Sequence, residues 1–148
     1  MAYTTYAEGD TYFAGRLGNA AVAWVASEDA DKTKALTHAT DIIDQLNFQG
    51  EMSEDDQDNQ FPRGDDTVVP QAIKDACCDI AATLLDGADP DVEGENLRMV
   101  SQGYGNIRST YNPDISAIHH VAGVPSRTAW LKLLPFLRDV DQVHVSRA

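Results

Sequence analysis

The densest concentration of chemically capable side chains is Ser53-Glu54-Asp55-Asp56-Gln57-Asp58-Asn59-Gln60. Its oxygen donors invite a calcium reading. An EF-hand loop needs a central glycine for its turn and a terminal bidentate glutamate, and both are missing. A solvated acidic loop explains the stretch better. His119 and His120 are adjacent, so they point differently in a helix or a strand, and no further ligand is spaced to complete a metal site. Cys77 and Cys78 are also adjacent. On a helix they lie about 100° apart, which disfavours a bridge, and a redox pair is more often spaced Cys-x-x-Cys. No glycine-rich phosphate loop, nucleophile elbow or metal-ligand spacing occurs. The expectation is a protein that is not an enzyme and holds no cofactor or metal. A carboxylate pair among the 24 acidic residues is the catalytic possibility left open.

The elements around these residues read as helices. Thr5-Tyr6-Ala7-Glu8 has the form of a capping box and predicts a first helix from Tyr6 to Leu17, with Tyr6, Phe13, Ala14 and Leu17 on its apolar face. Gly9 weakens that helix, and Gly18-Asn19 ends it. Ala20 to Val25 is a short apolar turn or helix around Trp24, a core anchor. Asp29 to Leu46 is amphipathic, with Leu36, Ala39, Ile43 and Leu46 at helical spacing. Phe61-Pro62 pins the end of the acidic loop. After Val69-Pro70, the residues Ile73, Ala76, Cys77, Ile80, Ala81, Leu84 and Leu85 give the clearest helical stripe, which Gly87 closes. Asp86 to Gly94 reads as a turn-rich linker. Residues 97–111 read as two short strands about the turn Gly103-Tyr104-Gly105. A last helix opens at Pro125-Ser126-Arg127, and Pro135 loosens its end. Val143 and Val145 alternate with His144 and Ser146, a strand pattern with no neighbour left to pair with. The fold class is therefore mainly α: a small helical bundle over residues 1–137 with a β-hairpin insertion at about 97–111, and an extended C-terminal arm over 138–148.

Charge is unevenly spread. The net charge is −13, of which residues 1–96 contribute −16 and residues 97–148 contribute +3. The acidic body should repel nucleic acid, because phosphate binding requires clustered Lys and Arg. The basic end could dock on an acidic partner. No apolar run approaches the ~20 residues of a membrane helix, and Met1-Ala2-Tyr3-Thr4-Thr5 lacks the basic and apolar regions of a secretory signal, so cytoplasmic synthesis and no membrane partner are expected.

One group resembles most of the chain. The residues that carry the resemblance are Tyr3-Thr4-Thr5, Asp10-Thr11-Tyr12-Phe13-Ala14-Gly15-Arg16, Trp24, Lys34-Ala35-Leu36, Ala39-Thr40, Ile43-Asp44, Phe48-Gln49-Gly50, Phe61-Pro62-Arg63, Val69-Pro70, Ile73, Ala76-Cys77, Ala81 and Leu133-Leu134-Pro135-Phe136-Leu137. They resemble the small connector, or adaptor, proteins of tailed bacteriophages, a group whose relatives also carry the label DnaT-like single-stranded-DNA-binding protein. The resemblance implies a structural virion protein at the head-to-tail junction. It implies a homo-oligomeric ring of about twelve copies that joins the portal protein to a tail or nozzle protein. On that reading Arg138, Val143, His144, Val145 and Arg147 contact the portal. Glu54, Asp55, Asp56 and Asp58 face the channel or the tail, where carboxylates let double-stranded DNA pass without binding.

The alternative is a single-stranded-DNA-binding protein. That function needs a positive groove with interleaved aromatics. Arg16, Lys32, Lys34, Arg63 and Lys74 are scattered in sequence, and only Arg98, Tyr104, Arg108 and Tyr111 on the hairpin could imitate a stacking platform.

Overall fold

The computed structural model describes residues 1–96, 101–110 and 118–138. Among the described residues seven helices make up the body: α1 (Tyr6–Phe13), α2 (Asn19–Ala26), α3 (Asp29–Asp44), α4 (Gln71–Leu85), α5 (Pro90–Asn96), α6 (Ile118–Val121) and α7 (Arg127–Leu133), the last continuing into a 3-10 turn over Leu134–Phe136. α4 is the axis, in contact with α1, α2, α3 and α7. Its sequence explains this position. Ile73, Ala76, Cys77, Ile80 and Ala81 lie along one stripe, Cys78 and Ala82 widen it, and all are buried. The small side chains let neighbouring backbones come close on more than one side. Pro70 precedes the first turn with φ −56°, and Gly87, at φ +100°, ends the helix in a conformation that other residues rarely adopt.

α3 supplies the facing stripe of Ala35, Leu36, Ala39, Ile42 and Ile43. Thr40 sits within it, its hydroxyl turned back to the Leu36 carbonyl at 2.9 Å. α1 is held by the expected reciprocal cap: the Glu8 N–H donates to the Thr5 hydroxyl and the Thr5 N–H to the Glu8 carboxylate. It ends at Phe13, a turn earlier than its apolar pattern suggests. Leu17 therefore leaves the helical phase and is fully exposed, Tyr6 is 41% exposed, and the buried face is Gly9 and Phe13.

The stretch after α3 is a folded loop. Phe48 pairs with Leu137 in an isolated antiparallel bridge, and Met52 pairs with Arg63. Phe61 packs edge-on against Tyr3, Phe48 and Phe136. The Tyr3 hydroxyl donates to the Asp44 carboxylate and accepts from the Phe61 N–H, so the N-terminus, the end of α3 and the loop meet at one point. Burial and then the Asp44 carboxylate push the Tyr3 phenol up, and burial holds the Asp44 carboxyl above its usual range.

The fold class expected from sequence needs correction. The strand pair expected over 97–111 is shorter than predicted and turns at a different place. What occurs is a short ladder, β1 (Ser101–Tyr104) against β2 (Ile107–Thr110), closing on Gly105-Asn106 in place of Gly103-Tyr104-Gly105. Gly105 takes φ +60°, which a tight two-residue turn requires and Tyr104 would resist. The predicted linker also turns helical: Pro90 opens α5, with Asp91 and Glu93 in its first turn, where the helix dipole favours carboxylates. Of the expected C-terminal arm, Arg138 is bonded through its N–H to the Asn47 carbonyl at 3.0 Å. Residues 139–148 lie outside the described residues.

Candidate functional site

Sorting the cations by their partners separates structural charges from available ones. Lys32 is buried and donates to Asp10 at 2.8 Å, and the same Asp10 oxygen accepts the Trp24 indole N–H at 2.8 Å. Lys32 and then Trp24 hold the Asp10 carboxyl below its usual range. Lys34 pairs with Asp31, and Lys74 pairs with Glu8. Arg63 is spent on the loop, donating to the carbonyls of Gln49, Gly50 and Gln60. Lys132 pairs with Asp79 and donates to the Tyr12 hydroxyl at 2.6 Å, while that hydroxyl donates to Asp79 at 3.0 Å. Burial, followed by the Asp79 charge, pushes the Tyr12 phenol up.

Arg16, Arg108, Arg127 and Arg138 remain, all exposed and, among the described residues, paired with no carboxylate. Of these, Arg16 and Arg127 come together. They line one groove of about 670 Å3 between the α1–α2 turn, α4 and the start of α7, together with Thr83, Ser126 and Thr128. The Arg16 guanidinium lies 3.9 Å from the centre of the Tyr12 ring, which fixes it in place. Among the described residues Asp79 is the one carboxylate lining the groove, and Lys132 offsets its charge. An otherwise acidic chain thus presents a groove with two guanidiniums that no carboxylate among the described residues pairs with. Guanidinium groups in such a setting suit phosphate, which they can bind in bidentate fashion.

The residues singled out from sequence lie elsewhere. Glu54, Asp55, Asp56 and Asp58 are all exposed on the loop, whose backbone is held by Gln57, the Gln57 side-chain amide donating to the Asn59 and Pro62 carbonyls at 2.7 and 2.9 Å. Arg138 is exposed at the end of the body, and Val143, His144, Val145 and Arg147 lie outside the described residues. On the ladder Arg108 is exposed, whereas Arg98 and Tyr111 lie outside the described residues. Cys77 and Cys78 are both buried free thiols, and burial pushes Cys77 up to about 11. His119 faces the Val124 carbonyl at 2.9 Å, and His120 lies 3.0 Å from Glu93. Among the described residues no group of three His, Cys, Asp or Glu side chains could hold a metal ion. Sequence reasoning missed the pairing of Arg16 with Arg127, because more than a hundred residues separate them and only the packing of α7 on α4 brings them to one groove.

Residues 2–141 match the family described as "Putative DnaT-like ssDNA binding protein". No curated protein and no solved structure matches the chain. The family match overturns the phage-connector reading, since nothing in it points to a head-to-tail connector. The virion ring, the portal, the tail or nozzle partners and the unbound passage of double-stranded DNA fall with it. The physical reason lies in the residues that carried the resemblance: Trp24, Leu36, Ala39, Ile43, Phe48, Phe61, Ile73 and Ala81 are all buried. They specify how helices pack and say nothing of a partner at the surface. With the match spanning nearly the whole sequence, the chain belongs to the DnaT-like family of that description.

Proposed function

We propose that the chain binds single-stranded DNA without acting on it chemically, and that Arg16 and Arg127 hold the strand's phosphates in the groove beside α7. The observation that carries this reading is the family match over residues 2–141. The two arginines of the groove supply a physical route. A net charge of −13 opposes any polyanion at long range, so attachment must come from a few close contacts on a locally positive spot. At ionic strengths near 0.1 M the repulsion is screened beyond about 10 Å, while guanidinium–phosphate bonds at contact are not.

The test is fluorescence anisotropy with a labelled oligothymidine across a salt series. Two phosphate contacts give an expected slope of log affinity on log salt near about −1.4, far shallower than that of a strongly basic protein. Replacing both residues (Arg16→Ala, Arg127→Ala) should flatten that slope and weaken binding by roughly tenfold or more. Binding that the double substitution leaves unchanged would place the interface elsewhere. An absence of binding even at low salt would overturn the function.

A further inference from the structure

A second groove adjoins the first. It has a volume of about 390 Å3 and shares Phe13, Arg16, Leu17 and Ala21 with the arginine groove, then runs along α2 beneath Val22 and Val25. Its rim is apolar and open to water: Leu17 is 100% exposed, Val22 68% and Val25 73%. α2 contains no charged residue at all, in a chain where charged residues are 24% of the total. Aliphatic side chains clustered in water on an uncharged helix are a patch that calls for an occupant.

Resting on the single-strand reading, we propose that this trough receives the nucleobases of the strand whose phosphates lie on Arg16, and that it is what selects single strands over duplexes. Arg16 stands at the seam of the two grooves, with a polar, cationic groove on one side and an apolar one on the other. A single strand has the same division: an anionic backbone edge and, a few bonds away, flat apolar bases. A duplex offers the same phosphates, but its base faces are stacked inside, so it can use the arginine groove alone. The aliphatic rim holds bases without reading their hydrogen-bonding edges, so sequence preference should be slight.

The experiment compares three labelled probes by anisotropy at one salt concentration: oligothymidine, an abasic strand of equal length, and a duplex. The wild type should bind oligothymidine roughly tenfold more tightly than the abasic strand or the duplex. A variant (Val22→Ser, Val25→Ser), altered only at exposed positions outside the arginine groove and checked by circular dichroism, should bind all three alike, keeping the wild-type affinity for the abasic strand. Equal, salt-dependent binding of all probes by the wild type overturns the trough while leaving the arginine groove intact. Failure of every probe to bind overturns the function beneath it. A third result also overturns the trough: the Val22 and Val25 substitutions convert a dimer to a monomer in sedimentation velocity without changing probe preference, which makes a second copy of the chain the occupant.

Discussion

Trp24 occupies the volume into which any side chain at residue 9 would project: a Cβ on Gly9 would lie 2.4 Å from Cζ2 of the indole and 2.8 Å from Cη2. The indole is fully buried, stacks at 5.1 Å on Phe13 and is tied to Asp10 through its N–H. It cannot retreat without breaking that bond. Two effects therefore compete in Gly9→Ala. Helix propensity favours alanine by about 1 kcal/mol. Overpacking against a pinned aromatic costs about 1–3 kcal/mol or more. The clash should win, and urea denaturation should show a net loss of about 1–2 kcal/mol. A raised urea midpoint would mean that α1 slides freely over the indole.

Glu8 ties α1 to α4 as well as capping it. The Thr5 N–H, the Thr4 hydroxyl and Lys74 together hold its carboxyl down to about 2. In the unfolded chain a glutamate titrates near about 4.3. A carboxyl depressed on folding stabilises the fold above its unfolded value, and that contribution disappears as pH falls through the folded one. Stability should therefore decline between about pH 4.3 and 2. In Glu8→Gln that part of the decline should be absent, with lower stability at neutral pH. The carboxylate is half exposed, so the effect is a modest one. Parallel curves for the two proteins on acid titration by circular dichroism would show that Glu8 contributes nothing.

Arg63 should prove structural. Its guanidinium reaches Gln49 and Gly50 on one side of the loop and Gln60 on the other, a span that a single ammonium cannot cover. Arg63→Lys keeps the charge and loses the fork. It should cost about 1–3 kcal/mol in urea unfolding and open the loop to limited proteolysis, with affinity for oligothymidine unchanged. A loss of affinity with no loss of stability would move Arg63 to the nucleic-acid interface.

The two long helices were legible because each carries an apolar stripe at helical spacing, from Leu36 to Ile43 and from Ile73 to Ala81, and such a stripe demands a partner surface. α5 was not, since Val92 is its lone large apolar residue and its stability comes from Pro90 and the acidic first turn. Leu17 misled for the opposite reason: it is in register with Phe13, but the helix stops before reaching it. Gly9 read as a weakness in α1, because its reason for being glycine is a ring that arrives from another helix. The groove could not be read at all. Arg16 and Arg127 carry no local pattern, and nothing in the sequence separates them from Lys32 or Lys132, whose charges are consumed by Asp10 and Asp79.

The bonds between residues 47–49 and 136–138 bear on how the chain is made. The Gln49 N–H donates to the Phe136 carbonyl at 2.9 Å, its side chain reaches the Leu137 carbonyl, and the Arg138 N–H returns to Asn47. Phe48 and Phe61 wait on partners that a ribosome synthesises some 88 residues after Gln49. Until Phe136 and Leu137 have emerged, the aromatic cluster under the acidic loop is left unfinished, with phenylalanines open to water. Folding of this region thus waits for residues 136–138 to be made. A nascent chain stalled ahead of Phe136 would present those rings to chaperones.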